Sequence, residues 1–350
     1  MNKKHLMWGG IITAVILVLL YFCYVNYYDI EYLLILQNFR NSINNAWTPF
    51  MEWISHFAVN NLILVPIFIY WCISKESGLY TFASLYTALT INAAVKLTAC
   101  QYRPWIRDAR VYPAGDAITE ATGYSFPSGH TMTAAPVYGS IGVSFKDKKW
   151  VPYVCIALIL ITAFSRNYLG VHTPQDVGVG LLISAWTLYL IHYLFKYLKE
   201  HPEKENKFLL IGSIASIVVL IYIFVKPYPL DYVDGKLLVD PKKMMVDSVA
   251  DASSLLIFCV SRYIEKTWVQ FKETGFNTKG ILINIVGLLL IVAFNAFLKG
   301  PIIAALGDIF GKFCVKGFVI VYAVLIWPFI LKLIYKNDTV ETKTEETTAE

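Results

Sequence analysis

The chain has 350 residues, of which 57% are hydrophobic and only 16% are charged, and its formal net charge is +5. A soluble domain carries about 25% charged residues, so this composition and the mean hydropathy of +0.53 exclude an ordinary soluble protein. We therefore expect an integral membrane protein that is surrounded by a lipid bilayer and has no nucleic-acid partner.

The first apolar segment, residues 8–28, follows Lys3 and Lys4. Its length of about 20 residues is enough to cross a bilayer. Because no small-residue cleavage site ends it, we predict a first transmembrane helix that stays in the protein rather than a signal peptide.

Similar apolar segments recur along the chain and predict about ten transmembrane helices. The predicted spans are residues 8–28, 53–74, 78–95, 131–145, 150–164, 177–195, 208–225, 246–260, 281–298 and 313–334. The predicted fold class is all-α, a polytopic transmembrane helix bundle. The polar, acidic tail at residues 337–350 is predicted to be disordered.

Lysines in the connecting segments predict the orientation of the bundle. Most of them fall on one side of the predicted spans, which the positive-inside rule makes cytoplasmic. Both termini are then cytoplasmic, and a bacterial cytoplasmic membrane is expected. Lys242 and Lys243 fall on the opposite side and conflict with this assignment.

Two segments on the predicted outer side are long. Residues 29–52 contain YLLILQNFRNSI, which mixes apolar and polar residues at helical spacing and is typical of a helix lying in the membrane interface. A simple linker is the alternative. Residues 100–126 form the second segment and carry Arg103, Arg107 and Arg110.

The six cysteines form no CxxC pair, and most lie inside apolar runs. They are interpreted as small buried hydrophobic residues rather than as a disulfide framework or a zinc site.

Cationic residues and one anion-binding helix start gather at the predicted outer surface. KLTACQYRP carries Lys96 and Arg103, and Arg166 ends the fifth span. Guanidinium groups match the geometry of phosphate oxygens. In PSGH, Ser128 is a good N-cap and Gly129 lets a ligand approach the exposed N–H groups of the next helix.

Two histidines and one carboxylate lie beside these cations. In SRNYLGVHTPQD, His172 precedes Asp176 by one helical turn, so the carboxylate can hold one ring nitrogen and leave the other free to attack. His130 is a second imidazole that can donate a proton to a leaving oxygen. Together these residues are the components of a metal-free phosphoryl transfer.

Each segment also has a structural explanation when it is taken alone. Lysines and arginines at helix ends often extend to the membrane interface. TPQD fits a capping box with Thr173 as N-cap and Pro174 at the first helical position, and PSGH fits a turn followed by a cap. None of these explanations accounts for the gathering of all the segments on one face.

The three segments resemble the signature motifs of the type 2 phosphatidic acid phosphatase (lipid phosphate phosphatase) superfamily. The pattern is Lys, six residues, Arg-Pro; then Pro-Ser-Gly-His; then Ser-Arg, five residues, His, three residues, Asp, and every defining position is matched. The resemblance covers roughly residues 1–200 and implies a six-helix membrane phosphatase core.

The resemblance also implies a role for each site residue. His172 is then the nucleophile that forms a phosphohistidine, Asp176 orients it, and His130 is the general acid. The phosphate cradle consists of Lys96, Arg103, Ser128, Gly129 and Arg166. No metal and no cofactor are expected.

Residues 201–336 have no counterpart in that core and are predicted to form about four additional transmembrane helices of unassigned role. Asp247 and Asp251 lie near the start of one of them, either as structural residues at headgroup level or as a second polar site. The hydrophobic surplus favours a lipid-facing or homo-oligomer-forming addition over a soluble regulatory domain.

The favoured function is hydrolysis of a lipid phosphate at the extracytoplasmic membrane surface, with substrates of the phosphatidate, phosphatidylglycerophosphate or undecaprenyl diphosphate class. Alternatives are a phospho-headgroup transferase or a sugar-phosphate phosphatase with the same site, or a non-enzymatic lipid or anion transporter. A pure binder has no need of both His172 and His130, which favours an enzyme.

Overall fold

The computed structural model describes residues 3–121 and 123–335. The tail predicted to be disordered, residues 337–350, lies outside the described residues. Most of the described chain is helical, which confirms the predicted all-α polytopic bundle.

Nine helices lie in the first 200 residues: α1 Lys3–Val25, α2 Tyr28–Ser42, α3 Thr48–Asn60, α4 Leu64–Phe68, α5 Lys75–Ala99, α6 Pro104–Arg107, α7 Gly129–Ser144, α8 Trp150–Tyr168 and α9 Pro174–Glu200. Five helices follow in the described residues after 200: α10 Glu205–Val225, α11 Pro241–Ile264, α12 Thr278–Phe297, α13 Lys299–Leu306 and α14 Asp308–Val321.

Shorter elements connect or extend these helices. The π-helical turns Ile69–Ile73, Glu265–Val269 and Tyr322–Ile326 follow α4, α11 and α14, and a 3₁₀ turn, Pro202–Lys204, precedes α10. A small hairpin between α10 and α11 pairs β1 Tyr232–Val233 with β2 Lys236–Leu237.

Seven helices in the described ranges are long and apolar enough to cross a membrane, and a bent pair makes an eighth. All ten predicted spans are present as helices. Two of them, α5 and α7, are not among the helices that are long and apolar enough to cross a membrane. Helix α7 has 16 residues, and α5 buries polar side chains such as Ser84 and Asn92. Because these two helices pack inside the bundle, they need less apolar surface. The chain is a multi-pass membrane protein.

The second predicted span, residues 53–74, is not one straight helix. It consists of α3 and the segment Leu64–Ile73, which meet at an angle of 48°. The break falls at Asn60 and Asn61, and the Asn60 side-chain amide donates to the carbonyl of His56 at 3.2 Å. Asparagine side chains compete for backbone hydrogen bonds, which favours a helix end at this point.

The segment predicted as an interface helix or a linker is helical. One face of α2 is buried against the protein, and its Arg40 donates to the carbonyls of Tyr168 and Tyr112, both at 3.0 Å. Asp29 at the start of α2 accepts from Arg107 at 2.7 Å and from Gln175 at 2.6 Å. The linker interpretation is therefore wrong, and the depth of α2 in a membrane stays a prediction.

Residues beyond 200 pack directly on the preceding helices. Helix α5 lies against α11, where Phe82 contacts Phe258 with ring centroids 6.1 Å apart. The indole of Trp71 donates to the carbonyl of Ala323 at 2.7 Å. The two parts therefore share one hydrophobic core, and the predicted boundary at residue 200 stays a prediction about chain organisation.

An ionic cluster joins the two parts at the end of α5 that is remote from Lys96. Lys75 donates to the fully buried Glu265 at 2.6 Å. Glu205 pairs with Arg262 at 2.8 Å and with Lys266 at 2.9 Å, and Arg262 also contacts Glu265. The cluster satisfies a buried carboxylate that would otherwise be costly.

Candidate active site

The three motif segments meet at one end of the bundle. The end of α5, the start of α6, the start of α7, the end of α8 and the start of α9 converge there. Eight residues were predicted for the site, and one of them, Gly129, has no side chain. The other seven side chains are buried: Lys96, Arg103, Ser128, His130, Arg166, His172 and Asp176.

The Asp176 carboxylate is the hub of this arrangement. Its Oδ2 atom lies 3.2 Å from Nδ1 of His172, accepts from the Ser125 hydroxyl at 2.5 Å, and accepts from the backbone N–H of Thr173 at 2.8 Å. The last contact is the N-terminal cap predicted from TPQD. Asp176 therefore both caps α9 and orients His172, so the two interpretations of TPQD are compatible.

The other ring nitrogen of His172 faces Arg103. Nη1 of Arg103 lies 2.9 Å from Nε2 of His172 and 3.0 Å from the carbonyl of Val171. Because a guanidinium only donates, Nε2 must be the acceptor, which places the ring proton on Nδ1 beside Asp176. Burial, followed by the charges of Arg103 and Arg166, holds the pKa of His172 well below its ordinary value. The ring is therefore neutral at pH 7.

A tight turn after α8 brings His172 to this position. Gly170 has φ +75°, and a Cβ there would lie 3.1 Å from the carbonyl oxygen of Tyr112. Both the backbone conformation and the space favour glycine. The Asn167 side chain donates to the carbonyl of His172 at 2.9 Å and closes the turn.

The start of α7 forms the anion-binding half of the site. The Ser128 hydroxyl accepts from the backbone N–H of Thr131 at 3.4 Å, which confirms the predicted N-cap. The backbone N–H of Ser128 donates to the carbonyl of Asp176 at 2.9 Å and ties α7 to α9. At Gly129, the nearest atom to an added Cβ is Nδ2 of Asn92 at 3.8 Å, so the space beside this backbone is open.

Lys96 and Arg166 differ in how their donors are used. Lys96 donates to the carbonyls of Tyr124 at 2.8 Å and Pro127 at 2.7 Å, and so holds the segment that leads into α7. Arg166 contacts the Ser55 hydroxyl through Nη1, whereas its buried Nε and Nη2 atoms have no hydrogen-bond partner within residues 3–121 and 123–335. Buried guanidinium donors without partners are suited to an anionic ligand.

Glu120 was not predicted from the sequence. Its Oε2 atom lies 3.6 Å from Nε2 of His130, and its Oε1 atom lies 2.6 Å from Nδ1 of His56. The His130 ring, with a smaller contribution from His56, lowers the pKa of Glu120 to about 2. A permanently ionised carboxylate thus lies beside the second imidazole of the site.

Two further residues were also missed, Ser125 on Asp176 and Asn167 on His172. Neither lies at a defining position of a motif, although Ser125 falls within the loop before PSGH and Asn167 within SRNYLGVHTPQD. A serine or asparagine in a loop gives no local signal, because its partner is chosen by the tertiary fold.

A cavity of about 610 Å³ opens onto this group of residues. Arg103, Gly129, His130 and His172 line its polar end. Within the described ranges, no three His, Cys, Asp or Glu side chains lie together in a way that could hold a metal ion. The six cysteines are unpaired; Cys72, Cys155 and Cys259 are buried, as predicted, whereas Cys23, Cys100 and Cys314 are half-buried.

Residues 77–200 match the family model of the PAP2 superfamily. The match confirms the resemblance drawn from the three motifs, and it contains all eight predicted site residues. It ends with α9, so α10–α14 lie outside the matched PAP2 segment.

The curated relatives agree with the PAP2 match. The chain is 28% identical over 117 residues to an undecaprenyl-diphosphatase of Sulfolobus acidocaldarius, covering 33% of this chain and 54% of the relative. It is 31% identical over 110 residues to phosphatidylglycerophosphatase B of Bacillus subtilis, covering 29% and 53%. It is also 28% identical over 155 residues to the undecaprenyl-diphosphatase BcrC of Bacillus subtilis, covering 43% and 76%.

The chain therefore spans about half the length of the first two relatives. No solved structure matches the chain at a significant level.

Proposed function

We propose that the protein is a metal-independent lipid phosphatase that hydrolyses a phosphate monoester or diphosphate of a membrane lipid through a phosphohistidine on His172. The observation that carries the proposal is the buried, neutral His172, whose Nδ1 lies 3.2 Å from Asp176 and whose Nε2 accepts from Arg103. A neutral imidazole held by a carboxylate on one nitrogen is a nucleophile at the other nitrogen.

The substrate class is proposed from the relatives. They are named for undecaprenyl diphosphate and phosphatidylglycerophosphate. Both compounds carry an apolar chain and a phosphate at the membrane surface, and phosphatidate shares this plan. A multi-pass bundle with a cationic cavity at one end fits such a substrate, because the lipid chain remains among the helices while the phosphate enters the cavity.

In the first step, the phosphate enters the cavity and accepts hydrogen bonds from N–H donors that, in the free protein, are unpaired or bonded to other groups. Arg166 offers Nε and Nη2, and the first turn of α7 offers backbone N–H groups. Arg103 transfers its Nη1 donor from His172 to a phosphate oxygen. The lone pair of Nε2 then attacks phosphorus, the bond to the leaving oxygen breaks, and His130 supplies the proton that the leaving oxygen needs.

The second step reverses these roles. A water molecule enters on the side that the leaving group has vacated, and His130, now neutral, takes one proton from it. The water oxygen forms a bond to phosphorus as the phosphorus–nitrogen bond breaks. Inorganic phosphate leaves, His172 is again neutral, and His130 is again protonated. The negatively charged carboxylate of Asp176 stabilises the positive charge that develops on the His172 ring in both steps.

We also propose that the site faces outward and that both termini are cytoplasmic, on the basis of lysine placement. The test uses labelling by a membrane-impermeant maleimide on intact cells. A cysteine at Asp116 in the loop beside the site should react, and a cysteine at Lys148 between α7 and α8 should not. The reverse pattern would place the site on the cytoplasmic side.

The function is tested by phosphate release from purified protein. Phosphatidate, phosphatidylglycerophosphate and undecaprenyl diphosphate are offered in detergent micelles with chelator present, beside a soluble sugar phosphate. Wild type should cleave at least one lipid much faster than the sugar phosphate, and His172→Ala should not. A folded wild-type protein that cleaves no lipid contradicts the proposal, and preference for the sugar phosphate favours the soluble substrate class.

A further inference from the structure

The cavity that contains His172 continues into the C-terminal part of the chain, beyond the matched family segment. On this side it is lined by polar residues of α11 and α14: Asp247, Asp251, Lys312 and Lys316. The extension is therefore one wall of the cavity rather than a remote addition.

Two ion pairs organise this wall. Nζ of Lys312 lies 2.6 Å from Oδ1 of Asp247, and Lys316 donates to Asp251. The two lysines are four residues apart on α14, and the two aspartates are four residues apart on α11. The two ion pairs therefore lie one helical turn from each other. The lysine side chains are 32% and 33% exposed, which leaves their ammonium groups accessible from the cavity.

Ion pairs are unusual among the transmembrane helices of a membrane protein, because charged side chains are costly there. Helix α14 is otherwise mostly apolar, and lysines within transmembrane segments are costly and usually functional. Lys299 at the start of α13 also lines the cavity. Three lysines therefore face two aspartates, and the wall carries a surplus of one positive charge.

We propose that Lys312 and Lys316 bind a second phosphate group of the substrate, one that is not hydrolysed. This proposal rests on the proposed lipid phosphatase activity. Each ammonium has three N–H donors, so a phosphate oxygen can join an ion pair without displacing the aspartate. The aspartates hold the lysine side chains in place and limit the attraction of a lipid that lacks the second phosphate.

The lower part of the cavity fits the rest of a lipid. Beneath the polar residues it is lined by apolar side chains from four helices and from the break after α3: Val59, Ile63, Leu85, Leu89, Ile291 and Val319. A phosphate at His172, a second phosphate at the lysine wall and an apolar chain in the lower part together fill one continuous space. Phosphatidylglycerophosphate and undecaprenyl diphosphate carry two phosphate groups, whereas phosphatidate carries one.

The test is the ratio of kcat/KM for a lipid with two phosphates to kcat/KM for phosphatidate. The main variant combines Lys312→Met and Lys316→Met with Asp247→Asn and Asp251→Asn, so that both partners of each ion pair lose their charge. We expect this ratio to fall about tenfold, through KM, because charge-assisted hydrogen bonds to the second phosphate are lost. Asp247→Asn with Asp251→Asn alone should raise the ratio.

The control, which matches Lys312→Gln with Lys316→Gln in charge, removes two positive charges elsewhere on the same end of the bundle. Lys242 and Lys243 are exposed at the start of α11 and do not line the cavity. Lys242→Met with Lys243→Met should leave the ratio unchanged. An equal fall in this control would show general attraction of anionic lipid and would overturn the proposal.

The remaining outcomes are also decisive. An unchanged ratio in the main variant, with hydrolysis retained, overturns the lysine site while the phosphatase function stands. Absence of lipid hydrolysis in wild type rejects the proposed function itself, and is seen before any variant is compared. If the main variant does not fold, Lys312→Gln and Lys316→Gln keep an amide donor for each aspartate and are judged by the same ratio.

Discussion

Nδ1 of His172 lies 3.2 Å from Oδ2 of Asp176, and the same oxygen accepts from the backbone N–H of Thr173 and so caps α9. One carboxylate therefore fixes both the ring of the candidate nucleophile and the start of α9. Because the cap is part of a regular helix, the ring orientation is set by the backbone rather than by a mobile side chain.

Asp176→Asn should lower kcat at least about 100-fold with little change in KM, because the amide no longer stabilises the His172 ring when it becomes positively charged. The side-chain carbonyl of asparagine can still accept from the backbone N–H of Thr173, so the fold should persist. Steady-state kinetics and a thermal melt measure the two effects separately. Wild-type kcat in a folded Asp176→Asn variant would contradict the assigned role.

Ser125→Ala provides a graded comparison, because it removes one hydrogen bond to Asp176 and leaves the charge. A smaller loss of kcat, about tenfold, is expected from the loss of one charge-assisted hydrogen bond.

The pH dependence of stability should report the buried state of His172. Its pKa lies well below the ordinary value of 6.5 in the folded protein, so the unfolded chain binds more protons below pH 6.5. The free energy of unfolding should therefore rise with pH below 6.5 and level off above it. His172→Gln has no titrating ring, and its unfolding energy should depend less on pH. If the free energy of unfolding depended on pH in the same way in both proteins, residue 172 would not be a buried neutral histidine in the folded protein.

Glu120→Gln should shift the pH–rate profile. The carboxylate, whose pKa is about 2, is ionised throughout the working range and favours the protonated ring of His130, whereas burial and the charge of Arg166 oppose that protonation. Its loss should move the high-pH limb of kcat to lower pH, since less of the general acid stays protonated. His56→Ala is the control, because it removes the other neighbour of Glu120 while keeping the charge. A lower kcat with an unmoved limb would indicate a structural role only.

Gly129→Ala should leave the fold intact and impair catalysis. The added methyl group lies 3.8 Å from Asn92 and meets no closer atom of the protein, but it occupies the space that a phosphate needs beside the backbone. We expect a rise of about tenfold or more in the inhibition constant of vanadate, corresponding to at least about 1.4 kcal/mol. The control is Gly10→Ala in α1, where nothing lies within 4 Å of the added group. Unchanged vanadate inhibition would argue against an anion site at this helix start.

Lys75→Met tests the ionic cluster that joins α5 to α11. Glu265 is fully buried and keeps Arg262 as a second partner, so loss of Lys75 should cost about 1.5–3 kcal/mol. Lys199→Met removes an exposed pair with Glu76, in which the side chains are 75% and 67% exposed, and should cost less than about 1 kcal/mol. Unfolding in denaturant measures both. Similar losses would mean that the cluster does not stabilise the packing of the extension.

The ten helical segments and the residues that gather at the candidate site were predictable from the sequence, because both depend on local features. Segment length and apolarity located ten helices, and the PSGH and TPQD segments located the caps of α7 and α9. The break between α3 and α4 was missed, because the apolar run continues through Asn60 and Asn61 and hides the turn.

Contacts between distant segments were not predictable. Glu120 reaches His130 and His56 only because the loop before α7 folds back over α3, and no periodicity encodes that path. The pairing of Asp247 with Lys312 depends likewise on which face of α14 meets α11. Sequence identified the two aspartates as costly residues, and only the packing of the helices supplied their partners.

The most direct test is to identify the phosphorylated residue during turnover. Wild-type protein is mixed with a lipid phosphate, quenched in alkali and digested, and the peptides are analysed by mass spectrometry. The account predicts a phosphoryl group on His172 that disappears as the substrate is consumed, and no label in His172→Ala. Steady hydrolysis with His172 unmodified, or a phosphoryl group on another residue, would contradict it.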